Sequence, residues 1–238
     1  MASKSTPDRY LRFRRLLARW YRRHGRDLPW RRTRDPYRVL VSEIMLQQTQ
    51  VSRVETYYHR FLERFPSVHD LAAAPPRAVR ESWEGLGYYR RAANLHRLAR
   101  EVVRERGGVI PAEPEELARL PGVGRYTAGA IASFAYEKPA PAVDTNVARV
   151  IRRAFDPGAA RRRNAEARSG SGAGSGGRSA AADRRIWETA ARLVPRQGKA
   201  AWTFNQAVME LGAVICTARV ARCGECPVRR ECGTGRKR

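Results

Sequence analysis

Leu120-Pro121-Gly122-Val123-Gly124-Arg125-Tyr126-Thr127-Ala128, followed by Val143-Asp144-Thr145-Asn146-Val147, is the stretch around which this chain is organised. Before it, residues 113–119 read as a short helix with Leu117 and Leu120 as its apolar marks. After it, residues 126–136 are alanine-rich and apolar, as a buried helix is. Gly122 and Gly124 permit a hairpin too tight for a β-carbon. Two glycines that open a helix also leave backbone N–H groups at a positive dipole end, where a phosphate binds. Leu120, Gly122, Val123, Gly124, Arg125 and Thr127 are therefore candidate contacts to a phosphate backbone; the alternative is an ordinary turn between two helices. Asp144 follows an apolar run and precedes a helix over 146–155, the position of an N-cap. The cap's N–H groups are expected to keep this carboxylate ionised at neutral pH, which suits it to face a developing positive charge.

The chain has 238 residues, 42% of them hydrophobic, enough for a sizeable core in one or two lobes. Its 47 Lys+Arg against 23 Asp+Glu leave a net charge of +24, which favours a polyanion as partner. Nucleic acid is preferred to a membrane, because there is neither a signal core nor a run of 18 apolar residues. Only Lys4, Lys138, Lys199 and Lys237 are lysines. Arginine bias can equally reflect a GC-rich genome, so only the net charge carries weight. The expectation is a cytoplasmic, nucleoid-associated bacterial or archaeal monomer.

Around the central stretch the chain reads as a succession of helices. Residues 1–9 are polar and expected to be disordered, and 10–24 form a basic helix with Leu11, Leu16, Leu17 and Trp20 as its apolar stripe. Asp35-Pro36 looks like an N-cap with proline at the first helical position. Tyr37, Leu40, Val41 and Ile44 then recur at i, i+3, i+4 and i+7, a single buried face, with Glu43 beside it. Such a glutamate is either solvated surface or, in a pocket, a general acid candidate. Gln47, Gln48 and Gln50 are loop polars or amides able to fill a gap in a base stack. A helix over 51–65, short helices at 68–71 and 77–83, the turn Gly85-Leu86-Gly87-Tyr88-Tyr89-Arg90-Arg91 and a helix over 92–106 follow. Aromatics interleaved with arginines in that turn suit contact with bases and backbone, or Tyr88 and Tyr89 simply pack. Residues 157–183 are read as a flexible Gly/Ser-rich insertion. Helices over 186–194 and 204–215 come next, the second with Asn205, Gln206 and Glu210 on its polar side.

Cys216, Cys223, Cys226 and Cys232 close the chain with spacing C-x6-C-x2-C-x5-C, and no other cysteine is present. Disulfides do not suit a cytoplasmic chain of this size. Zinc and an iron–sulfur cluster both fit four thiolates, and spacing alone leaves the choice open.

The chain resembles the helix-hairpin-helix DNA glycosylases that carry an iron–sulfur cluster, the superfamily of endonuclease III, and within it the MutY-type adenine glycosylases. The resemblance runs from about Asp27 to Cys232. It is carried by Leu28-Pro29-Trp30, 42–50, Gly85-Leu86-Gly87-Tyr88-Tyr89, Asn94-Leu95-His96 and Phe204-Asn205-Gln206, with the hairpin, Asp144 and the cysteines. It implies an all-α, two-lobed fold that binds double-stranded DNA with a mispaired or damaged base across a cleft. The glycosylase domain would span 27–232, between an N-terminal tail and basic helix (1–26) and a basic tail (233–238). One lobe, 51–136, would hold the hairpin; the other would combine 27–50 with 137–215, ahead of a cluster loop at 216–232. A 4Fe–4S cluster on the four cysteines would order a basic loop, here Arg219 and Arg222, against DNA.

By the same resemblance Glu43 protonates an adenine leaving group and positions water, and Asp144 stabilises an oxocarbenium-like sugar. Gln48, with Gln47 beside it, and Tyr88 probe or wedge the duplex. Tyr126 stands where bifunctional relatives have a Schiff-base lysine, which implies a monofunctional enzyme. The expected function is hydrolysis of the N-glycosidic bond of adenine opposite G or 8-oxoguanine. The alternatives are a thymine/uracil glycosylase acting opposite G, which the hairpin with Tyr126, Arg34-Asp35-Pro36-Tyr37 and the short C-terminus also resemble, and a non-catalytic damage-binding protein. MutY-type enzymes usually add a NUDIX-like domain, and the sequence stops six residues after Cys232.

Overall fold

The structure is a computed structural model, and it describes residues 6–158 and 175–237. Among these the regular elements are helices, joined only by an isolated β-bridge between Cys216 and Ala221. The all-α expectation holds. None of the described helices is long and apolar enough to cross a membrane.

The chain divides into two compact units, Asp27–Ala140 and the pair Met1–Arg26 with Pro141–Arg238. Residues 27–50 therefore fall with the hairpin, not with the C-terminal helices as the sequence suggested. The reason lies in α2 (Pro36–Leu46), which packs on α3 (Val51–Arg64), α6 (Arg90–Arg106) and α8 (Arg125–Tyr136). Asp35 caps α2, accepting from the Tyr37 and Arg38 N–H groups, and Pro36 supplies the first turn. The short helices α4 (Val68–Ala73), α5 (Pro76–Ser82) and α7 (Pro114–Leu117) complete this unit. Edge-to-face contacts of Trp30 with Tyr58, and of Phe61 with Phe65 and Trp83, anchor its core. The single-stripe reading of α2 is too narrow: Tyr37 and every residue from Val39 to Met45 are buried, because α3, α6 and α8 cover more than one face of the helix and leave only Arg38 exposed.

The second unit holds α1 (Thr6–His24), α9 (Thr145–Phe155), α10 (Ser175–Leu193) and α11 (Gly198–Val214). Phe13, Leu17, Val150, Ile151, Trp187 and Phe204 are in its core. Helix α1 begins within the stretch expected to be disordered, and Arg9 there donates to the Ala154 and Glu231 carbonyls. Residues 1–5, and 159–174 of the expected insertion, lie outside the described residues; Ser175 onward is already helical, consistent with Ala180, Ala181 and Ala182. The polar side of α11 does not face water. Asn205 and Glu210 are each 1% exposed, the first accepting from the Ala142 N–H and the second bound by Arg26 through Nε at 2.6 Å.

Helices α9 and α11 approach closely at Gly212, where a β-carbon would lie 2.7 Å from Asn146 Cβ and 3.1 Å from its backbone carbonyl. Backbone cannot swing aside as a side chain can. Gly212→Ala is therefore expected to destabilise the fold by about 1–3 kcal/mol, read as a lower urea midpoint with the slope unchanged.

Candidate functional site

Glu43 lies on α2, in the turn before its end, and is 3% exposed. A carboxyl so enclosed needs a partner, and the Tyr126 hydroxyl donates to its Oε2 at 2.8 Å. Tyr126 occupies the first turn of α8, directly after the hairpin, so the hairpin fixes the hydroxyl that addresses Glu43. The surface-glutamate reading of Glu43 is thereby excluded. Next to this pair, Gln47 Nε2 donates to Thr127 Oγ1 at 3.3 Å.

The hairpin has the expected tight form. Gly122 adopts φ +77°, and a β-carbon there would meet Asn94 Cβ at 2.8 Å. Gly124 caps α8 without a side chain, and a β-carbon built on it would meet nothing within 4 Å, so the backbone at this turn is open to a ligand. Leu120, Val123 and Thr127 are buried, at 4%, 6% and 3% exposure, which leaves only their backbone to offer; Arg125 is exposed.

Gln48 and Tyr88 are exposed and share an unusual property. Their φ values are +57° and +48°, in the left-handed region that non-glycine residues seldom enter. Each carries strain of about 1–3 kcal/mol, held by the surrounding structure. Arg91 donates to the carbonyls of Gln47 and Gly87, the residues just before them. Sequence reasoning placed it among residues that touch bases, yet it is 8% exposed and points inward to the carbonyls of Ile44, Met45 and Gln47. Nothing in its sequence context separates it from the exposed Arg90.

Asp144, in the other unit, caps α9 as expected: its Oδ1 accepts from the Val147 N–H at 2.7 Å and its Oδ2 from Asn146 Nδ2 at 2.9 Å. The cap does not decide its ionisation. Burial raises its pKa and outweighs the lowering by Val147, Asn146 and Arg149, opposite to the direction expected from the cap alone.

The same helix reaches the cysteine loop. Arg149 donates to the Cys216 and Gly212 carbonyls at 2.8 and 2.7 Å, and Arg153 donates to Cys216 Sγ at 3.2 Å and the Thr217 carbonyl at 2.8 Å. The i, i+4 spacing of these two arginines was the available signal, and it was missed. The Gly235 N–H donates to Cys232 Sγ at 3.2 Å. Burial pushes Cys226 up to about 11, and Cys232, Cys216 and Cys223 add to the rise, so the four thiols lie within electrostatic reach of one another. No three His, Cys, Asp or Glu side chains among the described residues close round a single ion position. Four thiols on one short loop, with N–H donors aimed at Cys216 and Cys232, suit a cofactor that takes thiolates and draws hydrogen bonds to its sulfur ligands. Of the loop's basic residues, Arg219 is exposed, while Arg222 binds Glu225 at 3.1 Å and the Val214 carbonyl.

Residues 41–170, more than half of the chain, match the family described as HhH-GPD superfamily base excision DNA repair protein. The chain is 44% identical over 213 residues to an adenine DNA glycosylase of Mycolicibacterium smegmatis, covering 89% of this chain and 66% of that protein. It is 37% identical over 221 residues to a thymine/uracil-DNA glycosylase of Pyrobaculum aerophilum, covering 92% and 89%. The solved structure of a thermostable thymine-DNA glycosylase superposes with a TM-score of 0.82 at 30% identity, covering 99% of this chain and all of that one. The chain spans about two fifths to two thirds of the length of the adenine glycosylases it first matches. It belongs to the HhH-GPD superfamily.

Because its folded pKa is raised, protonated Asp144 suits the fold better than ionised Asp144. The stability this contributes is present below the ordinary aspartate value and is lost as the pH rises through the raised one. Asparagine caps a helix as well as aspartate. Asp144→Asn should therefore melt at or above the wild-type temperature at neutral pH, with the difference shrinking toward about pH 4, measured by thermal melts across the range.

Proposed function

We propose that this HhH-GPD superfamily member is a monofunctional DNA glycosylase that hydrolyses the N-glycosidic bond of adenine mispaired with G or 8-oxoguanine. The observation that carries the reading is the buried Glu43 carboxyl hydrogen-bonded by the Tyr126 hydroxyl. Adenine leaves poorly as an anion, so its departure needs a proton, and a carboxyl enclosed on α2 is a group that can supply it. As the bond from C1′ to the base breaks, water adds to C1′, its proton passes to the protein, and the base departs protonated. Asp144 meets the positive charge that develops on the sugar. Its raised pKa is the mark of a carboxyl held where hydration is poor, a common feature of working sites.

The DNA partner follows from the net charge of +24 and the open glycine backbone at the hairpin. Exposed Gln48 and Tyr88 would occupy the gap as the target base leaves the stack, and Arg219 would reach the backbone. Cys216, Cys223, Cys226 and Cys232 would hold a 4Fe–4S cluster, which when bound supplies a crosslink that orders the loop. Arg149 and Arg153 position that loop on α9.

A second reading is excision of T or U opposite G, favoured by the near-complete coverage of the thymine/uracil glycosylase relative. Single-turnover assays on duplexes with A opposite G, A opposite 8-oxoguanine, and T or U opposite G separate the two. Adenine release is expected; release of T or U alone moves the chain to the second reading, and binding without release makes it a damage-binding protein. Glu43→Gln should lower the adenine rate by about 10²–10⁴-fold with duplex affinity retained. Because Tyr126 cannot form an imine, borohydride should trap no covalent adduct with abasic DNA, and strong trapping would overturn monofunctionality. Iron and acid-labile sulfide should be found in about equal amounts and be lost from Cys226→Ser.

A further inference from the structure

Arg91 is buried, yet its partners are backbone and hydroxyl oxygens. Nη1 donates to the carbonyls of Ile44 at 3.1 Å and Met45 at 2.7 Å, and to that of Gln47. Nη2 donates to Thr49 Oγ1 at 3.0 Å, to the Leu86 carbonyl at 3.4 Å and to the Gly87 carbonyl at 3.1 Å. The guanidinium also lies 5.4 Å from the Tyr88 ring centroid and 5.5 Å from that of Trp83. Three backbone segments thus meet on one planar cation: the end of the helix that carries Glu43, the segment that carries Gln48, and the turn that carries Tyr88.

Two of the acceptors, Gln47 and Gly87, immediately precede the two left-handed residues. The peptides that set the backbone of Gln48 and Tyr88 are therefore the ones Arg91 grips. The Ile44 and Met45 carbonyls belong to the last turn of α2, where orphan carbonyls and the negative dipole end favour a cation. The buried cation is compensated by these oxygens and not by a carboxylate. We infer that Arg91 is a positioning residue for base excision, coupling the two exposed probes of the duplex to the helix turn that bears Glu43. Pressure from DNA on Tyr88 or Gln48 is transmitted through this one group to the α2 terminus. Lysine cannot replace it, because a single ammonium cannot span six acceptors on three segments.

The inference rests on the excision reading only for its rate arm. The test uses the full chain as wild type, Arg91→Lys and Arg91→Met, on a duplex with 2-aminopurine as the base to be unstacked and on the duplex that wild type cleaves. Arg91→Lys is expected to stay folded by its helical circular dichroism and to bind undamaged duplex within about twofold of wild type, since a buried residue makes no phosphate contact. Its 2-aminopurine fluorescence gain on binding should fall by more than half, and its single-turnover rate by about 10–100-fold. Arg91→Met should show both losses and a lower melting temperature. Wild-type fluorescence gain and rate in Arg91→Lys would overturn the inference, as would a rate loss matched by the unfolded fraction alone. If wild type releases no base from any duplex, the excision reading fails, and the fluorescence arm still decides the role of Arg91.

Discussion

When α3, α6 and α8 close over α2, the helix loses its water along nearly its whole length, Arg38 excepted, and any polar group it buries must find a partner inside the protein. The Asp27–Ala140 unit is arranged around that constraint. Glu43 finds the Tyr126 hydroxyl, Tyr37 donates through its hydroxyl to the Phe65 carbonyl at 2.7 Å, and Ser42 folds back on the Val39 carbonyl at 2.8 Å. The last carbonyls of the helix, which have no further turn to donate N–H groups to them, accept from Arg91. Each of these bonds replaces hydration that burial removed. Burial and the Tyr126 hydroxyl together fix the Glu43 carboxyl in one place.

The second unit solves a related problem with one helix. Helix α9 presents Asp144 at its N-terminus and, one and two turns later, Arg149 and Arg153 to the cysteine loop. The carboxyl and the loop are consequently fixed to the same rod, and Gly212 lets α11 lie against it at backbone distance. Asp144 is satisfied by its cap and still sits where its ionised form is disfavoured.

Much of this was legible in the chain. The caps at Asp35 and Asp144, the glycine hairpin, the apolar stripes and the cysteine spacing all follow from local rules, in which a residue's neighbours in sequence set its conformation. Where sequence reading failed, the deciding neighbour was remote. The stripe of α2 gave one face because periodicity reports the first buried face and not how many helices cover the others. The polar side of α11 looked like surface because nothing near Asn205 or Glu210 in sequence announces Ala142 or Arg26.

The sequence by itself determined most of the helices, their caps, the turn geometry that glycine permits and the spacing of the four cysteines, since these depend on residues close together in the chain. Only the tertiary structure decided which carboxyl is enclosed, which way the Asp144 pKa moves and which of two adjacent arginines is a clamp. Those outcomes depend on desolvation and on hydrogen bonds between segments about 40 to 80 residues apart, and Arg90 and Arg91 differ in nothing but the direction the helix turns them.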